Sequence, residues 1–96
     1  MKLFKETQTE EQEVFERTIP LYSIRDRHVG FTPPIPMENN EYAKRYFKTQ
    51  VLENPTMKDS PEDFTIWIIG EYETATGQIL GVKPELIGKA EEYVSN

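Results

Sequence analysis

The chain contains no cysteine, which excludes disulfides, thiolate zinc sites and a cysteine nucleophile, and is compatible with a reducing compartment. Long apolar runs are missing too. The longest, Ile66 to Ile69, falls far short of the roughly 20 residues that a helix needs to cross a bilayer, which predicts no membrane span. Positive charge is in deficit: eleven Lys plus Arg stand against seventeen Asp plus Glu, a formal net charge of -6. The molecule as a whole therefore offers no attraction to phosphate or anionic lipid, and any nucleic-acid contact must be local. Glycine is sparse and dispersed, at positions 30, 70, 77, 81 and 88, so neither a Walker-type nor a GxGxxG phosphate loop is present.

What the chain does have is aromatic residues, five Phe, five Tyr and one Trp in 96 residues, enough to build the core of one small domain. Residues 1–17 are set apart from that domain. They carry Glu6, Glu10, Glu11, Glu13 and Glu16 with few large apolar groups, and read as an acidic arm, either a solvated tail or a helix ordered by docking. The same glutamates interrupt the apolar core that a secretory leader would need, which predicts no export. Residues 18–96 form the expected single domain.

Within it, residues 18–30 predict a first strand, with Tyr22, Ile24 and Asp26 on one face and Leu21, Ser23 and Arg25 on the other. Pro33, Pro34 and Pro36 then exclude a helix or a central strand and predict an extended connector. Residues 39–53 carry Tyr42, Ala43, Tyr46, Phe47, Gln50 and Val51 at helical spacing, with Asn39 or Asn40 as cap and Asn54-Pro55 as a stop. A polar linker follows. Phe64, Ile66 and Ile68 alternate against Thr65, Trp67 and Ile69 with both faces partly apolar, the pattern of a central strand. Gly70 predicts a bulge that turns Ile69 and Tyr72 toward the core. Residues 73–78 close a hairpin, Ile79 and Val82 continue the returning strand, and the segment from Lys83 onward predicts a short helix or a draped tail. The expected fold is α+β: a small antiparallel β-sheet of about three strands with one main helix packed on one face. Its exposed edges and Trp67 suggest a homodimer as one means of covering them.

Chemistry-bearing constellations are scarce. His28 shares a strand face with Asp26, yet nothing marks a nucleophile or pocket beside them, and a solvated strand end is the commoner arrangement. The carboxylates follow no EF-hand pattern. No metal, no cofactor and no catalytic residue is expected. The one pattern with a mechanism is the helix segment in which Lys44, Arg45 and Lys48 interleave with Tyr42, Tyr46 and Phe47, as in single-strand binders that combine phosphate contacts with base stacking. At helical spacing these aromatics more often belong to a core, and the basic residues to a solvated face. Arg25, Arg27 and Lys58 extend the basic patch only if the fold brings them together.

Three blocks of the chain carry a resemblance. Ile24, Arg25 and Asp26 form the first, and Ala43, Arg45 and Phe47 the second. The third is Pro61, Glu62, Asp63, Phe64, Ile66, Ile69, Gly70, Tyr72, Thr76, Gly77 and Ile79. In this order they resemble the small nonstructural protein of the Microviridae, in particular of gokushovirus-type single-stranded DNA phages, over residues 21–94. The acidic arm is an addition to that pattern. The resemblance implies a non-enzymatic accessory protein of the host bacterial cytoplasm, described as DNA-binding and linked with single-stranded genome synthesis or its handover to packaging. It carries over no catalytic residues. Two functions follow as expectations. One is binding of single-stranded DNA by Arg25, Arg27, Lys44, Arg45 and Lys48. The other is a protein-interaction module that contacts a phage replication or capsid component, or a host factor.

Overall fold

The computed structural model describes residues 17–94. Its framework is an antiparallel sheet built from β1 (Thr18–Asp26), β2 (Gly30–Phe31), β3 (Ile35–Pro36), β4 (Phe64–Glu73) and β5 (Ile79–Lys89). The order is β2-β1-β4-β5, with β3 also on β1. Five strands thus replace the expected three or so. The two extra ones are two-residue pieces of the proline-rich connector, which lie along the outer edge of β1, where proline's missing N–H costs no central ladder bond. Ser23 and Thr32 fasten that connector. The buried Ser23 hydroxyl donates to the Thr32 carbonyl at 2.7 Å, and the Ile24 N–H donates to the Thr32 hydroxyl at 3.0 Å.

Between the connector and β4 lie helix α1 (Asn40–Glu53) and the shorter α2 (Pro55–Asp59). α1 starts where Asn39 Oδ1 accepts the Tyr42 N–H at 2.9 Å, and Glu41 in its first turn complements the helix dipole. Asn54 ends it and starts α2, accepting from the N–H groups of Thr56 and Met57 at 2.9 and 3.2 Å, with Pro55 in the first turn. The segment expected as a polar linker is therefore a capped helical turn that buries Met57. A 3₁₀ turn over Pro61–Asp63 leads into β4.

α1 turns Ala43, Phe47 and Val51 onto one face of the sheet, against Tyr22, Phe64 and Ile66, all of them buried. Each large apolar side chain so enclosed contributes about 1.5 to 3 kcal/mol. The register explains which residues face the helix: Tyr22 pairs with Ile68, Ile24 with Ile66 and Asp26 with Phe64. The alternation expected for β1 and β4 holds, and β4 is central. The bulge near Gly70 is also present, since the partner of Leu21 is Gly70 while that of Tyr22 is Ile68, leaving Ile69 as the extra residue. Its consequence differs from the expectation. Tyr72 pairs with Ile19, on the Leu21 side of the sheet and away from the helix.

The last segment also departs from expectation. β5 runs on through Glu85, Leu86 and Gly88 to Lys89, and only then turns into a 3₁₀ turn over Ala90–Tyr93. Gly88 is buried against Ile66, where a Cβ would still sit at an ordinary 3.5 Å from the Ile66 side chain. The 3₁₀ turn brings Tyr93 edge-on to Phe47, ring centroids 6.1 Å apart. The acidic arm expected over residues 1–17 lies outside the described residues except for Arg17.

Candidate nucleic-acid interface

The helices cover one face of the sheet and leave the other open. Strand register places its side chains in rows across β1, β4 and β5: Ile19, Tyr72 and Ile79; Leu21, Gly70 and Gly81; Ser23, Trp67 and Leu86; Arg25, Thr65 and Lys89. β2 adds Phe31 beside Arg25. The Arg25 guanidinium carbon lies 6.0 Å from the centroid of the Phe31 ring, and Phe31 in turn meets Trp67 edge to face with centroids 6.1 Å apart. Trp67 is held in place by its own strand, its indole N–H donating to the Thr65 hydroxyl at 2.8 Å. Phe31 is 47% exposed and Leu86 40%. An exposed ring, a half-buried one and an arginine plane thus share one patch, a composition suited to stacking bases and to cation–π contact.

Charge is sorted by the same alternation. At the register-paired strand positions, the charged residues of the open face are Arg25 and Lys89, on either side of Thr65. Asp26, Glu71, Glu73 and Glu85 occupy the opposite face. A molecule with a net charge of -6 therefore sets Arg25 and Lys89 on the same face as the exposed Phe31 and the half-buried Trp67.

The five basic residues expected to form one site separate into three places. Arg25 is on the open face. Arg27 is in the turn after β1, where its Nε lies 3.0 Å from Asp63 Oδ1. Lys44, Arg45 and Lys48 line the outside of α1, on the far side of the sheet from Arg25. Of the interleaved aromatics, Phe47 is core and Tyr46 half-buried, while Tyr42 is 52% exposed. Sequence reasoning missed Phe31, Thr65, Leu86 and Lys89 as companions of Arg25. The alternation of β1 and β4 already put Arg25 on one face and Trp67 with Thr65 on another, but only the pairing register shows that these faces coincide.

His28 is 63% exposed in its side chain, and its Nε2 lies 3.3 Å from Asp63, beside Arg27. Its backbone N–H donates to Asp26 Oδ1 at 2.9 Å. The contacts of Arg27 and His28 with Asp63 hold the β1–β2 turn against the 3₁₀ turn that precedes β4. Among the described residues no cluster of three or more metal-ligating side chains occurs, and no helix is long and apolar enough to cross a membrane.

The arrangement is that of a small α+β domain whose antiparallel sheet is covered by helix on one side and, among the described residues, carries no helix on the other, where Phe31, Trp67, Arg25 and Lys89 lie. The model of the phage ORF5 protein family matches residues 19–93, most of the chain, and the protein belongs to that family. No curated protein and no solved structure matches it.

Proposed function

We propose that this phage protein is a non-enzymatic accessory factor that binds single-stranded DNA on the open face of its sheet, during viral genome replication or its handover to packaging in the host cytoplasm. The observation that carries this reading is the Arg25–Phe31–Trp67 contact on a face that no helix covers among the described residues. Family membership supplies the phage setting, and the resemblance to the microvirus nonstructural protein supplies the link to a single-stranded genome. In this reading Trp67 and Phe31 stack on bases, and Arg25 and Lys89 hold phosphates. Stacking on an aromatic ring is worth about 1 to 3 kcal/mol per base, so loss of one ring weakens binding by roughly five- to 150-fold.

The test is a salt series with a labelled single-stranded oligonucleotide, on the wild type, Trp67→Ala, the Arg25→Ala/Lys89→Ala pair, and the Lys44→Ala/Arg45→Ala/Lys48→Ala triple. The reading expects the first two variants to bind more weakly and the helix triple to bind as the wild type does. Loss of binding in the triple alone would move the site to α1. Absence of binding at low salt would end the DNA reading.

A second reading rests on the half of the open face beyond the helix, where Ile19, Tyr72 and Ile79 lie together and Ile79 is 70% exposed. Such an uncharged apolar row suits a protein partner, either a phage or host component or a second copy of the chain. Its expected signature is association that Ile79→Lys abolishes and salt leaves unchanged.

A further inference from the structure

Beside the open face, on the helix side of the sheet, lies a cleft of about 520 Å³ between α1 and the β2 edge, within the size range of ligand sites. Val29, Ile35 and Phe64 supply apolar wall, while Asp26, Tyr46 and Gln50 bring polar groups to it. Neither the Tyr46 hydroxyl nor the Gln50 amide has a hydrogen-bond partner among the described residues. Asp26 spends one carboxylate oxygen on the His28 N–H, and its second oxygen has no hydrogen-bond partner there. Phe31 belongs to both surfaces: it lines the cleft and touches Trp67.

We infer that this cleft receives one base of the strand that lies on the open face, and that it selects a base carrying an exocyclic amine. The inference rests on the proposed single-stranded DNA binding. Continuity through Phe31 gives the strand a path, because β2 is only two residues wide at that edge. The chemistry of the walls then chooses what enters. An apolar side chain would leave the amide and hydroxyl unsatisfied, and a phosphate would meet the Asp26 carboxylate. A flat heteroaromatic ring with a hydrogen-bonding edge satisfies both the apolar and the polar walls. A carboxylate accepts from the exocyclic amine of cytosine, whereas at that position thymine sets a carbonyl oxygen against it and keeps only its N3–H as a donor.

The experiment compares oligo-dC with oligo-dT of equal length, which differ in that group, in N3 (an acceptor in cytosine, an N–H donor in thymine) and in the thymine methyl, on the wild type, Asp26→Asn and Gln50→Leu. Asn keeps an oxygen for the His28 N–H, and Leu is a good helix former, so both variants are expected to fold; circular dichroism checks that they do. The wild type is expected to bind oligo-dC about tenfold more tightly, the scale of a paired base contact. Each variant is expected to narrow that ratio while keeping its oligo-dT affinity. Equal binding of the two oligonucleotides by the wild type overturns the cleft inference and leaves the open-face reading standing. A preference that survives in both folded variants also overturns it, because the selection then arises elsewhere. No binding of either oligonucleotide ends both.

Discussion

Tyr22 ties the sheet to the helix through a single oxygen. Its ring is buried in the core and its hydroxyl donates to Asn40 Oδ1, at the first residue of α1, at 2.6 Å. Tyr22→Phe keeps the ring and removes the bond, and the expected cost is about 1 kcal/mol in urea unfolding. Burial also raises the Tyr22 pKa above its ordinary value, and Tyr93 is raised by burial and then by the carboxylates of Glu92 and Glu41. Both phenols hold their protons more tightly in the folded chain than in the unfolded one. The stability this contributes is complete below the ordinary phenol pKa of about 10 and drains away as pH rises through the folded values. Unfolding midpoints are therefore expected to fall above about pH 10, less steeply in Tyr22→Phe. Two paired glycines give a sharper contrast. A Cβ on Gly70 would lie 2.8 Å from the Leu80 backbone carbonyl oxygen, whereas one on Gly81 meets nothing within 4 Å. Gly70→Ala is expected to lower the melting temperature by several degrees, and Gly81→Ala to leave it unchanged or slightly raised.

Asn54 serves two helices at once, ending α1 and capping α2, and α2 in turn sets Met57 into the core. Asn54→Ala is expected to destabilise the domain by about 1 kcal/mol, and Asn54→Asp, which keeps the accepting oxygen, to restore most of it in the same unfolding measurement. Helix α1, its Asn39 cap and the faces of β1 and β4 were readable in the sequence, because each rests on local periodicity and capping chemistry. α2 was not, since a five-residue turn among Pro, Lys, Asp and Ser leaves only Met57 as an apolar mark. The run of β5 through Pro84 and Gly88 was hidden for a different reason. Residues that weaken a strand on intrinsic preference are tolerated at an edge, where one side of the ladder is free. The candidate interface was hidden in part: the β1–β2 hairpin sets Phe31 beside Arg25 and the β4–β5 hairpin sets Lys89 beside Thr65, but the two groups meet only through the pairing of β1 with β4, distant in sequence.

Alternation across three long strands separates charge between the two faces at their paired positions, so a net-negative protein keeps Arg25 and Lys89 on the face of Phe31 and Trp67. Two phosphate contacts on a single strand imply a plot of log affinity against log salt with a slope of about -1.4. A slope near -4 would mean that the helix stripe and the turn arginine also engage the strand. The sheet's outer edge along β5 carries Pro84 between Lys83 and Glu85, features that discourage strand addition, so the open face rather than the edge is the surface on offer. Trp67 is the only tryptophan in the chain, and its fluorescence therefore reports on that face alone. Titrating the protein with oligo-dC at low salt while following this emission is the measurement to make. Saturable quenching that is reversed by added salt is the predicted result. Emission unchanged up to high micromolar oligonucleotide would contradict stacking on the open face.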